Sequence, residues 1–198
     1  MCHRKSALPN LKLLKFPIAY MEHEEAYLLG ALGDGYVDIK RNELQIYQKN
    51  LEWLEYMNSL LRQIFGIEGR IFKRDVFWLR KRNKLMVLRI LELKKEVLES
   101  EGFVAGLFDS EGSIYLSTSK IPVIDITQSE KGLAQLLAAQ RILTRVGIES
   151  RMNGPYVNKH GKLLQYHLRV YGAKRCRAFL KAIGSKHPDK LARFKQYL

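Results

Sequence analysis

Apolar and polar residues alternate in several short runs, the pattern of half-buried strands. Val37 and Ile39, Leu44 and Ile46, and Phe77 and Leu79 mark the apolar positions in the first half of the chain. Ile114 and Leu116, with Ile124 and Ile126, mark them in the second. Two stretches between these runs have helical spacing instead. Leu51, Leu54, Met57, Leu61 and Ile64 share one face, and Leu133, Leu136, Leu137, Leu143 and Val146 share another. Asn50 and Ser129 stand where an N-cap belongs, and each helix closes at a glycine. Two further segments, Ala26 to Val37 and Gly102 to Ile114, read as compact helices of small and apolar residues. Each is stopped by a glycine suited to the C′ position, Gly35 or Gly112.

These elements repeat. Gln48 and Gln128 end matching strand runs, and Gly66-Ile67-Glu68-Gly69-Arg70 is nearly the same as Gly147-Ile148-Glu149-Ser150-Arg151. A second strand pair and a further helix follow in each half, so the order helix, strand, strand, helix, strand, strand, helix occurs twice. The expected fold class is α+β, with two pseudo-symmetric αββαββα half-domains over residues 22–100 and 101–198. An irregular arm, 1–21, precedes them. Lys84 to Gly102 supplies a helix and the bridge, and Ser185 to Pro188 caps a closing helix over Asp189 to Leu198. Glu22, Glu24, Glu25, Glu99 and Glu101 suit the N-termini of the two small-residue helices electrostatically.

The ends of those helices carry the candidate chemistry. Gly30, Ala31, Ala105 and Gly106 present almost no side chain, so the two backbones can pack closely. Side by side, the helices bring Asp34 and Glu111 together at two C-termini, where partial negative charge disfavours acids. Two carboxylates so placed repel unless they share a proton or bind a metal ion. The pattern therefore points to a divalent-cation site.

Here the sequence resembles the LAGLIDADG homing endonucleases, in the single-chain form with two motif copies. Val104 to Gly112 (VAGLFDSEG) matches the nine-residue pattern. Tyr27 to Gly35 (YLLGALGDG) departs from it, because its glycine-to-acid interval is one residue shorter. Aligned on Asp34-Gly35, the packing glycine of the first copy falls out of register. The resemblance implies antiparallel sheets forming a DNA-binding saddle, with the motif helices packed at its centre. It implies Mg²⁺ or Mn²⁺ at Asp34 and Glu111, helped by the backbone carbonyls of Gly33 and Ser110. Gln48, Lys49 and Gln128 take the places near the attacking water. No second catalytic lysine is identifiable; Lys40 and Lys120 lie in turns.

Composition agrees. Thirty-four basic against 20 acidic residues leave +14, which calls for a polyanionic partner. No apolar run approaches the length that spans a bilayer, and the N-terminus lacks the order of a signal peptide. Cys2 and Cys176 are too few for a disulfide framework or a cysteine-rich zinc site, so a reducing, cytoplasmic location is expected. The polar strand faces carry Tyr36, Asp38, Lys40, Glu43, Gln45, Tyr47, Arg70, Trp78, Arg80 and Arg82 in the first half. In the second they carry Tyr115, Ser117, Ser119, Asp125, Thr127, Arg151, Asn153, Gln165, His167 and Arg169. Such side chains read base edges and phosphates, whereas a solvated face leans towards Lys and Glu.

The expected activity is site-specific hydrolysis of double-stranded DNA at a long recognition site by a monomer. The chain neither begins with a splicing nucleophile nor ends in His-Asn, which suits a free-standing, intron-encoded enzyme rather than an intein. The alternatives are an RNA maturase that helps its intron splice, or a DNA-binding protein that does not cleave.

Overall fold

The computed structural model describes residues 18–94, 100–157, 161 and 164–198; the side chains of residues 18–22 and 34 lie outside the described residues. Helix α1 (Ile18–Ala31) passes through a 3₁₀ turn (Leu32–Asp34) into the hairpin β1 (Gly35–Asp38) and β2 (Glu43–Gln48). Next come α2 (Leu51–Phe65), β3 (Arg70–Lys73), β4 (Phe77–Arg82) and α3 (Lys84–Leu93). The second half repeats the order with α4 (Glu101–Glu111), β5 (Gly112–Leu116), β6 (Pro122–Ser129), α5 (Leu133–Arg145), β7 (Arg151–Val157), β8 (Leu164–Tyr171) and α6 (Ala173–Ala182). It then adds α7 (Pro188–Tyr197).

Each half contains one four-stranded antiparallel sheet, ordered β1-β2-β4-β3 and β5-β6-β8-β7. The registers match. Gly35, Ile46, Leu79 and Ile71 form one cross-strand row, and Gly112, Ile126, Leu168 and Met152 form its counterpart. These rows face the helices, and one face of each sheet is left bare. Asn50 caps α2 as expected, accepting from Trp53 N at 3.0 Å. Gly66 and Gly147 close the equivalent helices at φ 65° and 76°, a left-handed backbone that glycine adopts without strain.

The structure corrects the pattern at several places. Ile39 and Leu116 were expected inside, but are 61% and 43% exposed because the strands end at Asp38 and Leu116. Leu51 and Leu137 also face outwards, while Trp53 and Leu60 fill the α2 core. Ser129 does not cap α5. A 3₁₀ turn over Glu130–Gly132 intervenes, so α5 begins at Leu133. Helix α1 starts at Ile18, inside the segment expected to be an arm; residues 1–17 lie outside the described residues. Glu25 is therefore within a helix, where it is buried against Arg89 of α3 (3.2 Å).

The small and apolar segments of α1 and α4, residues 26–31 and 104–108, are buried, and the two helices pack on each other. A methyl added at Gly30 would lie 2.7 Å from Leu107 N and press on Phe103 O. One added at Gly106 would lie 2.8 Å from Ala31 N and press on Tyr27 O. Gly30 and Gly106 are thus symmetry-equivalent, and the packing glycine of the first motif is in register after all. The missing residue is absorbed further on. From Gly30 to Gly35 the first copy runs partly through a 3₁₀ turn, whereas α4 stays α-helical to Glu111. A 3₁₀ turn rises about 2.0 Å per residue against about 1.5 Å, so the shorter stretch covers the same distance of about 9 Å.

Gly35 and Gly112 are not left-handed stops: their φ values are −123° and −91°. They are small because space is short, since a methyl on Gly112 would sit 2.6 Å from Phe108 O. Gly106→Val should destabilise the fold by about 3 kcal/mol or more, because the opposing atoms are backbone and cannot rotate away. Urea unfolding of the variant checks this, with Lys174→Ala at an exposed position of α6 as the surface comparison.

Candidate functional site

The ends of α1 and α4 touch. A methyl at Gly33 would press on Glu111 Oε1, 2.7 Å from Glu111 Cγ and 2.9 Å from Ser110 Oγ. The Ser110 hydroxyl lies 3.2 Å from Gly30 O and 3.3 Å from Leu107 O, tying α4 to α1. Asp34 follows Gly33 and ends the 3₁₀ turn, so its backbone stands one residue from that contact; its side chain lies outside the described residues. Burial raises the Glu111 carboxyl above the ordinary range, and the Lys190 ammonium acts against that rise. Glu111 also occupies the negative end of α4. A hard divalent cation suits this place, because oxygen donors are at hand and the charged carboxylate is otherwise disfavoured. Among the described residues no group of three or more His, Cys, Asp or Glu side chains converges.

A fully buried acid braces this helix end. Asp109 accepts from Tyr27 OH and from Lys186 N, both at 2.6 Å, and from Ser185 Oγ. Trp53 Nε1 donates to Tyr27 OH at 2.9 Å. Burial and the Asp109 charge push the Tyr27 phenol well above its ordinary range. Lys190 Nζ donates to the backbone carbonyls of Phe108 and Asp109, capping α4. Ser185 was expected to cap the closing helix, but its hydroxyl is given to Asp109, and α7 has His187 at its N-cap with no side-chain bond. The sequence offered no signal for Asp109, since its partners are 76 to 82 residues away in either direction.

The bare sheet faces collect the polar strand residues. In the first sheet Tyr36, Gln45, Arg80 and Arg70 form one cross-strand row. Tyr47, Trp78 and Phe72 form the row nearer the motif-helix ends, and Asp38, Glu43 and Arg82 the row beyond. In the second sheet the corresponding rows are Ser113, Asp125, Arg169 and Arg151; Thr127, His167 and Asn153; and Tyr115, Val123 and Tyr171. Glu43 is buried and accepts from Arg80 Nε at 2.6 Å and Arg82 Nε at 3.3 Å. Burial pushes its carboxyl up, but the hydrogen bonds from Arg80 and Arg82 outweigh it and hold the group below the ordinary range. Asp125 is likewise buried, against Arg169 Nε (2.8 Å), His167 Nδ1 (2.9 Å) and Tyr115 OH (3.2 Å). Burial works against the Arg169 charge, and the hydrogen bonds to Asp125 and Tyr171 with the Asp125 charge more than restore it.

Not every expected residue presents itself to solvent. Gln45 is nearly buried and accepts from Tyr47 OH. Asp38 accepts from Arg41 N at 2.9 Å and closes the turn in which Lys40 is exposed. Ser117 is not on the strand face: it follows β5, and its hydroxyl accepts from Ile121 N at 3.1 Å in the turn that also holds Ser119. Gln48 and Gln128 share strand parity with Ile46 and Ile126, so they lie on the helix side, at the strand ends nearest the motif helices. Gln48 accepts from Lys49 N at 2.7 Å, and Gln128 lies against Gly132. Lys49, Arg70 and Arg151 are exposed, whereas Gln165 is only partly so.

The bare faces also hold residues that the pattern missed. Phe72 and Arg74 complete an aromatic stack, with the Arg74 guanidinium 4.7 Å above Trp78, which meets Tyr47 edge-on at 4.4 Å. Ser113 and Tyr171 follow from simple alternation. Tyr156 does not, because an irregularity between Asn153 and Tyr156 shifts the parity and brings it against His167 (5.4 Å). A carboxylate with a depressed folded-state pKa adds stability above the ordinary glutamate range and loses it as pH falls through the depressed value. Glu43→Gln should therefore be about 2 kcal/mol less stable than the wild type at pH 7. That gap should close as the solution is taken below the ordinary glutamate range, as urea unfolding at a series of pH values would show.

The sequence matches the LAGLIDADG-like domain twice, over residues 22–101 and 99–184. No curated protein sequence matches the chain. Among solved structures, mesophilic variants of the homing endonuclease I-DmoI align at 22% identity and a TM-score of 0.64, over 83% of this chain and 96% of theirs. I-DmoI in complex with DNA and Mn aligns at 22% and 0.63, over 84% and 99%. The N-terminal LAGLIDADG domain of DUF199/WhiA aligns at 18% and 0.62, over 93% and 91%. At these identities the likeness is one of fold, and the fold is that of two LAGLIDADG units joined in one chain. No described helix is long and apolar enough to cross a membrane. With both copies of the domain matched and both sheets built alike, the protein belongs to the LAGLIDADG-like domain family.

Proposed function

We propose that this chain is a site-specific, metal-dependent endonuclease of the homing type, acting as a monomer on a long double-stranded DNA site. The observation that supports the proposal is the close approach of Gly33, the residue before Asp34, to Glu111, one motif end from each half. In this reading the half-domains 22–100 and 101–198 each take one half-site, and the sheets form a saddle over the major groove. The structures of I-DmoI with DNA and Mn, in the presence of Mg, or with Ca support a divalent ion.

Asp34 and Glu111, with the backbone carbonyls of Gly33 and Ser110, would hold Mg²⁺ or Mn²⁺. When bound there, such ions stabilise charge on the phosphate and lower the pKa of water. The protein's own part is to place and shield. Glu111 is fixed by the packing of α4, and Lys190 and Asp109 hold the last turn of that helix. Lys49, Gln48 and Gln128, at the strand ends, would then orient a water or the leaving oxygen. Tyr36, Tyr47, Trp78, Arg80 and Arg82 on one sheet, and Thr127, Asn153, Gln165, His167 and Arg169 on the other, meet the groove. Exposed Lys40, Arg70 and Arg151 meet phosphates.

A second reading is nucleic-acid binding without cleavage, which the same basic sheet faces would serve, and an intron RNA is its other candidate partner. One experiment separates them. Purified protein is given duplex DNA spanning the intronless form of its own locus, with Mg²⁺ and then with EDTA. The endonuclease reading expects a defined double-strand break in Mg²⁺ alone. It further expects Glu111→Gln and Asp34→Asn to lose cleavage by at least about a thousandfold while holding the same duplex as tightly or slightly more tightly, since a charge that phosphates repel is gone. Tight binding with no break would favour the second reading, and wild-type cleavage by either variant would remove the acids from the mechanism.

A further inference from the structure

The two sheets repeat one costly arrangement. Arg80 lies opposite Arg70 across β4 and β3, and Arg169 lies opposite Arg151 across β8 and β7. Because Ile46 pairs with Leu79 as Ile126 pairs with Leu168, the two arginine pairs occupy the same site of the repeated sheet. Like charges placed directly across strands destabilise a sheet. Here each pair is divided into unlike members. The inner arginine is locked to a buried carboxylate: Arg80 through Nε to Glu43 Oε1 at 2.6 Å, and Arg169 through Nε to Asp125 Oδ2 at 2.8 Å. The outer arginine is exposed on an edge strand. Arg70 makes no ion pair among the described residues, and Arg151 has Glu149 only at 4.0 Å. Each pair lines a depression in its own bare face.

Glu43 Oε1 also lies 2.6 Å from Arg80 Nη2, and Arg169 Nη2 lies 3.3 Å from His167 Nδ1. Each terminal nitrogen carries two hydrogens, so these contacts along one edge still leave hydrogens at the guanidinium end to donate. Arg80 and Arg169 remain 28% and 23% exposed at their side chains, so neither is sealed from a ligand. A planar fork held in place loses little rotamer freedom on binding. Its match in the major groove is O6 and N7 of guanine, and none of the other bases offers two acceptors there. The exposed outer arginines suit phosphate, which fixes register and carries no sequence.

We propose, on the reading that the chain binds duplex DNA, that Arg80 and Arg169 each read one guanine. The target then carries these guanines on opposite strands, at equal distances from its centre, one in each half-site. Their carboxylate partners Glu43 and Asp125 are positioning residues.

The test reads binding alone. A randomised duplex pool is bound without divalent ions, recovered and sequenced. The wild type should enrich guanine at two positions symmetric about the centre. Arg80→Ala should lose the preference at one of them only and Arg169→Ala at the other, each by about tenfold or more. Arg80→Lys should lose it too, because an ammonium has no fork. Arg70→Ala should weaken all sequences alike and leave the preferred bases unchanged. If an arginine variant folds poorly, wild-type protein on the selected duplex with 7-deazaguanine at either position keeps the test, and the same loss is expected there. Uniform weakening by Arg80→Ala and Arg169→Ala, a lost base other than guanine, or unequal distances from the centre would each overturn the inference while leaving DNA binding intact. Failure to recover any duplex would overturn the DNA-binding reading along with it.

Discussion

Two helix backbones can touch only where side chains are absent, and Gly30 and Gly106 provide that contact once from each half. Everything that could serve as a centre in this molecule follows from it. The α1–α4 pair carries its own termini to one place, so Gly33 meets Glu111 where neither half could build a site alone. The sheets start directly from those termini, at Gly35 and Gly112, and so inherit their relative placement from the helix pair. Dispersion and exclusion of water hold the contact, and its tolerance is small because the facing atoms are backbone.

The same constraint explains why the centre is heavily braced. An α-helix leaves its last carbonyls without partners and gathers negative charge there. On α4 that end also bears Asp109, fully buried, and Glu111, half-buried. Lys190 supplies a cation to the free carbonyls, and Tyr27, Ser185 and Lys186 N supply donors to Asp109. Tyr27 belongs to the first half and Ser185 to the closing segment, so one carboxylate joins three parts of the chain. Removing a donor from a buried charge costs more than the bond contributes when made, which makes this network a condition for the site rather than an ornament of it.

On the bare faces, a surplus of positive charge is organised rather than merely present. Glu43 and Asp125 sit beneath the arginines as buried counter-charges and turn flexible cations into oriented ones. The two halves then differ in the row nearest the centre. The first shows Tyr47, Trp78 and Phe72 under Arg74, and the second shows Thr127, His167 and Asn153 beside Tyr156. A repeated scaffold with unlike rows is suited to an asymmetric partner.

Local pattern was enough for the repeat, the αββαββα order and the parity of most strands, because a helix or strand shows its period in neighbouring residues. The pairing of the two small-residue helices was also legible, since absent side chains are visible in the letters. Parity failed where strands ended early, at Ile39 and Ser117, and where a bulge returned Tyr156 to the open face. The register of the first motif was misjudged because spacing along the chain does not reveal whether a turn is α or 3₁₀, and the two rise by different amounts per residue. Buried Asp109, the Ser185 hydroxyl turned away from its expected cap, and the Glu43 and Asp125 locks had no local signature at all. Their partners are distant in sequence, and a polar side chain declares its role only once folding decides which donors share its cavity. The sequence alone thus determined the elements, their duplication and the charge of the open face; the tertiary structure decided which polar groups became braces and which remained to meet a ligand, because burial and hydrogen bonding are properties of the packed molecule.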